Sequence, residues 1–212
     1  MRKGTRAPVD GFGNTCGVLA RSLPLVIVVL LAAACYAGPA NAKASATQDA
    51  SSFLAAPTSP RATAALADKD GRAVGLAEFR EDRVGVRVDV KATSLPEGRH
   101  GIHVHAVGKC EGPAFASAGG HFNPAGRVHG SKSTNGPHAG DLGNIEVKGD
   151  GTGVMSVLNH HLSLAPGAAQ SVLSAGGLAI VIHAAADDES TDPAGNSGDR
   201  IACGVIKAAP AS

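Results

Sequence analysis

Val84, Val86, Val88 and Val90 alternate with Gly85, Arg87, Asp89 and Lys91. Side chains of an extended chain point to opposite faces in turn, so this spacing makes a half-buried strand with one apolar face. Ala62 to Ala67 and Ala73 to Phe79 flank Asp68-Lys69-Asp70-Gly71, which predicts a hairpin whose turn contains Asp-Gly. Gly101 to His105, Asn144 to Val147, Gly153 to Leu158, Leu178 to His183 and Ile201 to Ile206 are further strand segments. No stretch of the domain carries a helical period. Glycine makes up 28 of 212 residues, about twice the usual share, which suits many tight turns. Short strands with such turns predict an all-β sandwich or barrel.

Two long segments lack strand patterning, roughly Ala106 to Gly143 and Ala184 to Arg200. Loops that long inside a domain are usually functional or disordered. Both begin directly after a histidine, which favours function.

The chain has nine histidines. His103 and His105 flank Val104 inside a strand segment, so their imidazoles share one face. That pair alone is weak, since such spacing also occurs on exposed polar faces. His121, His129, His138 and Asp141 fall close together in a glycine-rich loop able to fold around an ion. Three imidazoles and one carboxylate make a closed four-coordinate zinc site. His183 ends the apolar run Leu178 to Ile182 and emerges at a strand tip. Alone it would read as a structural histidine; beside the others it completes a four-imidazole set suited to copper, which cycles between two redox states. His100, His160 and His161 belong to no motif and are expected at the surface.

The N-terminal residues predict export. Arg2, Lys3, Arg6 and Arg21 precede the apolar run Leu25 to Ala34, and Ala40-Asn41-Ala42 offers a small-x-small cleavage site. That order makes residues 1–42 a signal peptide. A retained membrane anchor is disfavoured because no second apolar run follows. Ala32-Ala33-Ala34-Cys35 resembles a lipid-attachment site, so a membrane association depends on lipidation of Cys35. Residues 43–60, rich in Ala, Ser, Thr and Pro, read as a flexible tether, and 61–212 as the domain. Cys16 and Cys35 lie in the leader, so either processing route leaves Cys110 and Cys203 as a pair in an oxidising compartment. Without the leader, Lys plus Arg falls from 19 to 15 and Asp plus Glu from 18 to 17, moving the net charge from +1 to near −2. With no Trp, and no Tyr after Tyr36, neither a basic face nor stacking aromatics point to nucleic acid.

Four stretches carry a resemblance: Gly101-Ile102-His103-Val104-His105, Gly120-His121-Phe122-Asn123-Pro124, His138 to Asn144, and Gly195 to Ile206. With the gaps between them, residues from about Arg61 to Lys207 resemble the Cu/Zn superoxide dismutases. The segment Lys109 to Phe115 looks like the bacterial, exported branch. The resemblance implies a Greek-key β-sandwich or barrel of about eight antiparallel strands with two long functional loops, and an enzyme that converts superoxide to oxygen and hydrogen peroxide in the periplasm or cell envelope. It implies copper at His103, His105, His121 and His183, and zinc at His121, His129, His138 and Asp141, with His121 shared. It further implies that Arg200 attracts superoxide, that Asp187 links His103 to His129, and that Cys110 and Cys203 tie the metal loop to the strand after Arg200. All zinc ligands are present, which argues against the copper-only relatives. Both a monomer and a homodimer stay open.

A rival reading is an exported copper-binding or buffering module without turnover, which has no need of a cation such as Arg200 beside copper. The chain also departs from the family pattern. Its loop from Ala184 to Asp199 carries Asp187, Asp188, Glu189, Asp192 and Asp199 and no lysine, so weak electrostatic steering of the anion is expected.

Overall fold

The computed structural model describes residues 59–210. The expected leader over 1–42, Cys35, and the expected tether up to residue 58 lie outside the described residues.

Nine strands run in chain order: β1 (Arg61–Asp68), β2 (Ala73–Asp82), β3 (Gly85–Ala92), β4 (Gly98–His105), β5 (Asp141–Val147), β6 (Gly153–Asn159), β7 (Ala179–His183), β8 (Arg200–Val205) and the two-residue β9 (Lys207–Ala208). A 3-10 turn at Ala116–Ala118 is the one helical element among the described residues. Every named pairing is antiparallel. Neighbours follow the order β2-β3-β6-β5-β4-β7-β8-β1, and β1 also pairs β2, so eight strands close on themselves. Closure leaves no free edge to template aggregation. β3 and β4 are consecutive in the chain yet separated in the ring by β6 and β5, which is the Greek-key crossover the resemblance implied. β9 extends the pairing of β1 through Ala62 and Thr63.

The alternation read from the sequence sets the core. Val86, Val88 and Val90 are fully buried, each contributing about 1.5–3 kcal/mol. They face Ala62, Ala64, Leu66 and Phe79 inside the barrel. Val84 departs from the expectation. Arg83 and Val84 form the turn that lets Asp82 pair with Gly85, and Val84 is left exposed. The hairpin register decides its place, and the valine period alone could not.

β4 from His100 onward and the whole of β7 are buried on both faces. Ile102, Val104, Ile180 and Ile182 point into the barrel. On the opposite face Ala179, Val181 and Cys203 pack with Phe115 and Ala118 from the loop after β4. The Cys110–Cys203 disulfide pins that loop to β8. The two long loops therefore cover the outer wall of β4 and β7, and His103, His105 and His183 lie between wall and loops.

Candidate metal centre

His103 and His105 project from the loop-covered side of β4, with His103 opposite Val181 and His105 opposite Ala179. Beyond His105 the ladder runs on into the loop. Phe122 N–H donates to the Val104 carbonyl at 2.8 Å, and Ala106 N–H to the Gly120 carbonyl at 2.9 Å. That pairing sets His121 directly beside His105. Gly140 N–H donates to Phe122, and a Cβ at Gly140 would lie 2.2 Å from the Val104 carbonyl oxygen. Only glycine lets the chain return this close on its way to Asp141.

Partners on one ring nitrogen identify the nitrogen left free on the other side. His105 Nδ1 bonds the Gly119 carbonyl at 2.8 Å, and His183 Nδ1 the Gly198 carbonyl at 3.1 Å. His103 Nε2 bonds Asp187 Oδ2 at 2.9 Å. The freed atoms converge: His183 Nε2 and His105 Nε2 are 3.4 Å apart, and His103 Nδ1 and His121 Nε2 are buried without any partner. One ligand atom from each of these four residues falls within a 4.8 Å span. Burial holds the three strand histidines neutral, His103 down to about 4, His183 to about 3 and His105 to about 2. Neutral imidazoles with lone pairs aimed at one point are what a nitrogen-bound metal requires.

The second cluster centres on Asp141. Its Oδ1 lies 3.0 Å from His121 Nδ1, 3.1 Å from His129 Nδ1 and 3.3 Å from His138 Nδ1, while His121 and His138 Nδ1 are 3.5 Å apart. Its Oδ2 is occupied by the backbone N–H groups of Gly130 and His138 at 2.9 Å each. Metal–ligand bonds of about 2.0–2.1 Å at tetrahedral angles put ligand atoms roughly 3.3 Å apart. A single carboxylate oxygen contacting three imidazole nitrogens that also approach one another matches that tetrahedron, and the donor set is one zinc accepts. Burial opposes charge on Asp141, yet the hydrogen bonds from His121 and His129 hold its carboxyl well below the usual range. Burial also opposes charge on His129, but Asp141 and Asp187 reverse this and push it up to about 10.

His121 belongs to both clusters, Nδ1 to one and Nε2 to the other. Asp187 joins them a second time, with Oδ2 on His103 and Oδ1 3.0 Å from His129 Nε2. Arg200 lies beside the four-imidazole cluster, where its charge acts on His105 and His183. Its guanidinium donates to the carbonyls of Phe115 and Gly119, each at 2.6 Å. It lines a surface depression with Ala114, Ala116, Gly119, Gly120, Gly198 and Asp199.

The family model of copper/zinc superoxide dismutase matches residues 73–206. The chain belongs to that family. It is 44% identical over 148 residues to the superoxide dismutase [Cu-Zn] 2 of Aquifex aeolicus, an alignment covering 69% of this chain and 86% of the relative. The superoxide dismutase [Cu-Zn] of Deinococcus radiodurans is 39% identical over 164 residues, covering 70% of this chain and 85% of the relative. The crystal structure of a SOD-like protein from Bacillus subtilis aligns with a TM-score of 0.65 and 41% identity, over 68% of this chain and 96% of that one.

Within this dismutase-family site, one expectation fails. His100 is buried, not exposed, with Nδ1 2.8 Å from the His183 carbonyl and Nε2 2.9 Å from that of Pro96. The two carbonyls satisfy both ring nitrogens, so burial leaves no polar atom orphaned. His160 and His161 are exposed as expected. Sequence reading also missed Asn144 and Asn159. Asn144 Nδ2 donates to the Asp187 carbonyl at 3.0 Å and its Oδ1 accepts the Asp187 N–H at 2.7 Å. Asn159 Nδ2 donates to the carbonyls of Ala139 and Asp141. Both asparagines hold backbone; Asn144 ends the His138 to Asn144 stretch but nothing in that stretch names its partner, and Asn159 belongs to no motif.

Proposed function

We propose that the chain is a working copper/zinc superoxide dismutase, with copper at His103, His105, His121 and His183 and zinc at His121, His129, His138 and Asp141. The observation that carries this is His121, whose two ring nitrogens face the two clusters, so that one imidazole would serve both ions. Bound there, copper supplies the one-electron couple that turns superoxide into oxygen and hydrogen peroxide, and zinc supplies fixed positive charge beside it.

The protein's own groups do the rest. Arg200, fixed by two carbonyls, presents its remaining donors to an anion arriving at the mouth. His121 Nε2, the nitrogen that would face copper, would hold a proton when it is not bound to the ion and deliver it to the departing peroxide. Asp187 accepts from His103 and His129 through Nε2 and keeps Nδ1 of each ring turned toward its own cluster. The loops hold the strand histidines out of bulk water, where they stay neutral.

Residues 1–42 act as an export leader and 43–60 as a tether, placing the domain in the periplasm or cell envelope. The Cys110–Cys203 disulfide supports an oxidising compartment. Superoxide turnover by the purified protein loaded with copper and zinc tests the whole reading. Fast turnover that needs copper and drops in His121→Ala and Arg200→Ala supports it. Tight uptake of both metals with no turnover above free buffer would leave a copper-binding module.

A further inference from the structure

Around Asp141, two of the three histidines have their far ring nitrogen engaged: His129 Nε2 with Asp187, and His121 Nε2 at the four-imidazole cluster. His138, with Nδ1 turned to Asp141, leaves Nε2 facing Oδ1 of Asp192 at 3.7 Å. The same Oδ1 accepts the backbone N–H of His129 at 2.6 Å. One carboxylate oxygen from the loop after β7 thus holds the main chain of one histidine and faces the ring of another.

We propose that Asp192 is a positioning residue for this cluster. Its negative charge favours the His138 tautomer with the proton on Nε2, which leaves the Nδ1 lone pair directed at the ion. Its bond to His129 fixes the spacing between the two rings. The proposal rests on the zinc reading above and adds a residue to it.

Holding the loops together is a role Asp192 would share with others. Lys132 N–H donates to the Glu189 carbonyl at 3.0 Å, Lys132 Nζ to the Asp188 carbonyl at 2.8 Å, and Ser131 Oγ to Glu189 at 2.5 Å. Asp192 also gains little from burial, since its side chain is 55% exposed. What it alone supplies is a carboxylate charge opposite His138. Because that charge stands partly in water, its effect falls at the low end of the 10–100-fold range for such outer partners, roughly tenfold in metal affinity.

Zinc affinity of the purified full chain, measured by chelator competition, tests this beside the visible spectrum of cobalt(II) bound in zinc's place. Asp192→Asn keeps an oxygen for the His129 N–H and removes the charge; Asp192→Ala removes both; Lys132→Ala removes the Nζ bond to Asp188 and so weakens the loop seam alone. The expected result is about tenfold weaker zinc binding and an altered cobalt spectrum in both Asp192 variants. Lys132→Ala should bind as the unaltered protein does, and Asp192→Asn should melt with it when metal-free. Asp192→Asn binding as tightly as the unaltered chain would overturn the proposal, as would an equal loss in Lys132→Ala. An unaltered protein that takes up no zinc would sink the metal reading itself, and this inference with it.

Discussion

Arg200 and His105 are bound to the same acceptor, the carbonyl oxygen of Gly119, at 2.6 and 2.8 Å. The cation at the mouth and a ring of the four-imidazole cluster are therefore positioned by one peptide group. The disulfide at Cys110 and the packing of Phe115 and Ala118 hold that peptide's loop against β7 and β8.

A lysine cannot copy this arrangement, because guanidinium donates in a planar fork and ammonium does not. Arg200→Lys keeps the charge but loses one of its two carbonyl bonds. We expect kcat/KM to fall roughly tenfold, and Arg200→Ala to lose up to about 100-fold. Copper content should stay full in both. An Arg200→Lys enzyme as fast as the unaltered one would mean that charge alone matters there.

Gly195 lies against the carboxylate that joins the clusters. With φ at 62°, a Cβ on it would fall 1.8 Å from Asp187 Oδ1 and 2.7 Å from His129 Nε2. Gly195→Ala must therefore push Asp187 off His129. Zinc affinity should drop about 10–100-fold, with a stability loss of about 1–3 kcal/mol. Chelator competition and denaturant melts read the two effects separately. Unchanged zinc binding would remove Asp187 from any role in aligning His129.

Much of this was legible in the sequence, for identifiable reasons. Strands such as β3 announce themselves because alternate valines must face one way. The histidines and Asp141 announce themselves because few other uses require so many imidazoles in a glycine-rich loop. What stayed hidden depends on distant backbone. His100 is buried because carbonyls at Pro96 and His183 meet its ring, and Asn144 matters because Asp187 arrives beside it from 43 residues away. Those partners exist only after the barrel closes.

The disulfide closes a span of 93 residues. A loop that long removes enough unfolded-state entropy to be worth roughly 4–5 kcal/mol in the chain-entropy model. Cys203→Ser with Cys110→Ser should lower unfolding stability by about that much in denaturant. Turnover should weaken as well, since the loop carrying Gly119 loses its anchor. A loss under about 1 kcal/mol would show that packing of Phe115 and Ala118 alone secures the loop.

Acid should destabilise the metal-free protein. His103, His105 and His183 titrate near 4, 2 and 3 in the fold, below the unfolded value of about 6.5. As pH falls through 6.5 the unfolded chain gains protons that the fold refuses, so stability drops until about pH 2, the value for His105. Asp141 and Asp187, both depressed, add to the loss below about pH 4. His129, raised to about 10, acts oppositely: its contribution is full below 6.5 and fades as pH rises through 10. Denaturant midpoints of the metal-free chain should be lower at pH 4.5 than at pH 7. A higher midpoint at pH 4.5 would contradict the neutral assignment of the three strand histidines.

Salt dependence separates steering from positioning. Asp199 is exposed, precedes Arg200 and shares its depression. Arg200 and Asp199 are the charged residues that line this depression. An arriving anion therefore meets one positive and one negative charge together, a combination whose field decays faster than that of a single charge. The rate should change little between about 10 and 200 mM salt, although the Debye length shrinks several-fold over that range. Asp199→Asn leaves Arg200 unopposed. One unit charge roughly 8 Å from the path is worth about 0.5 kcal/mol in water, or about twofold in rate. The variant should be about twofold faster at low salt and should lose that gain as salt rises. A steep fall with salt in the unaltered enzyme would place the steering charge elsewhere on the surface, and an Asp199→Asn variant with no gain would show that Arg200 already dominates the mouth.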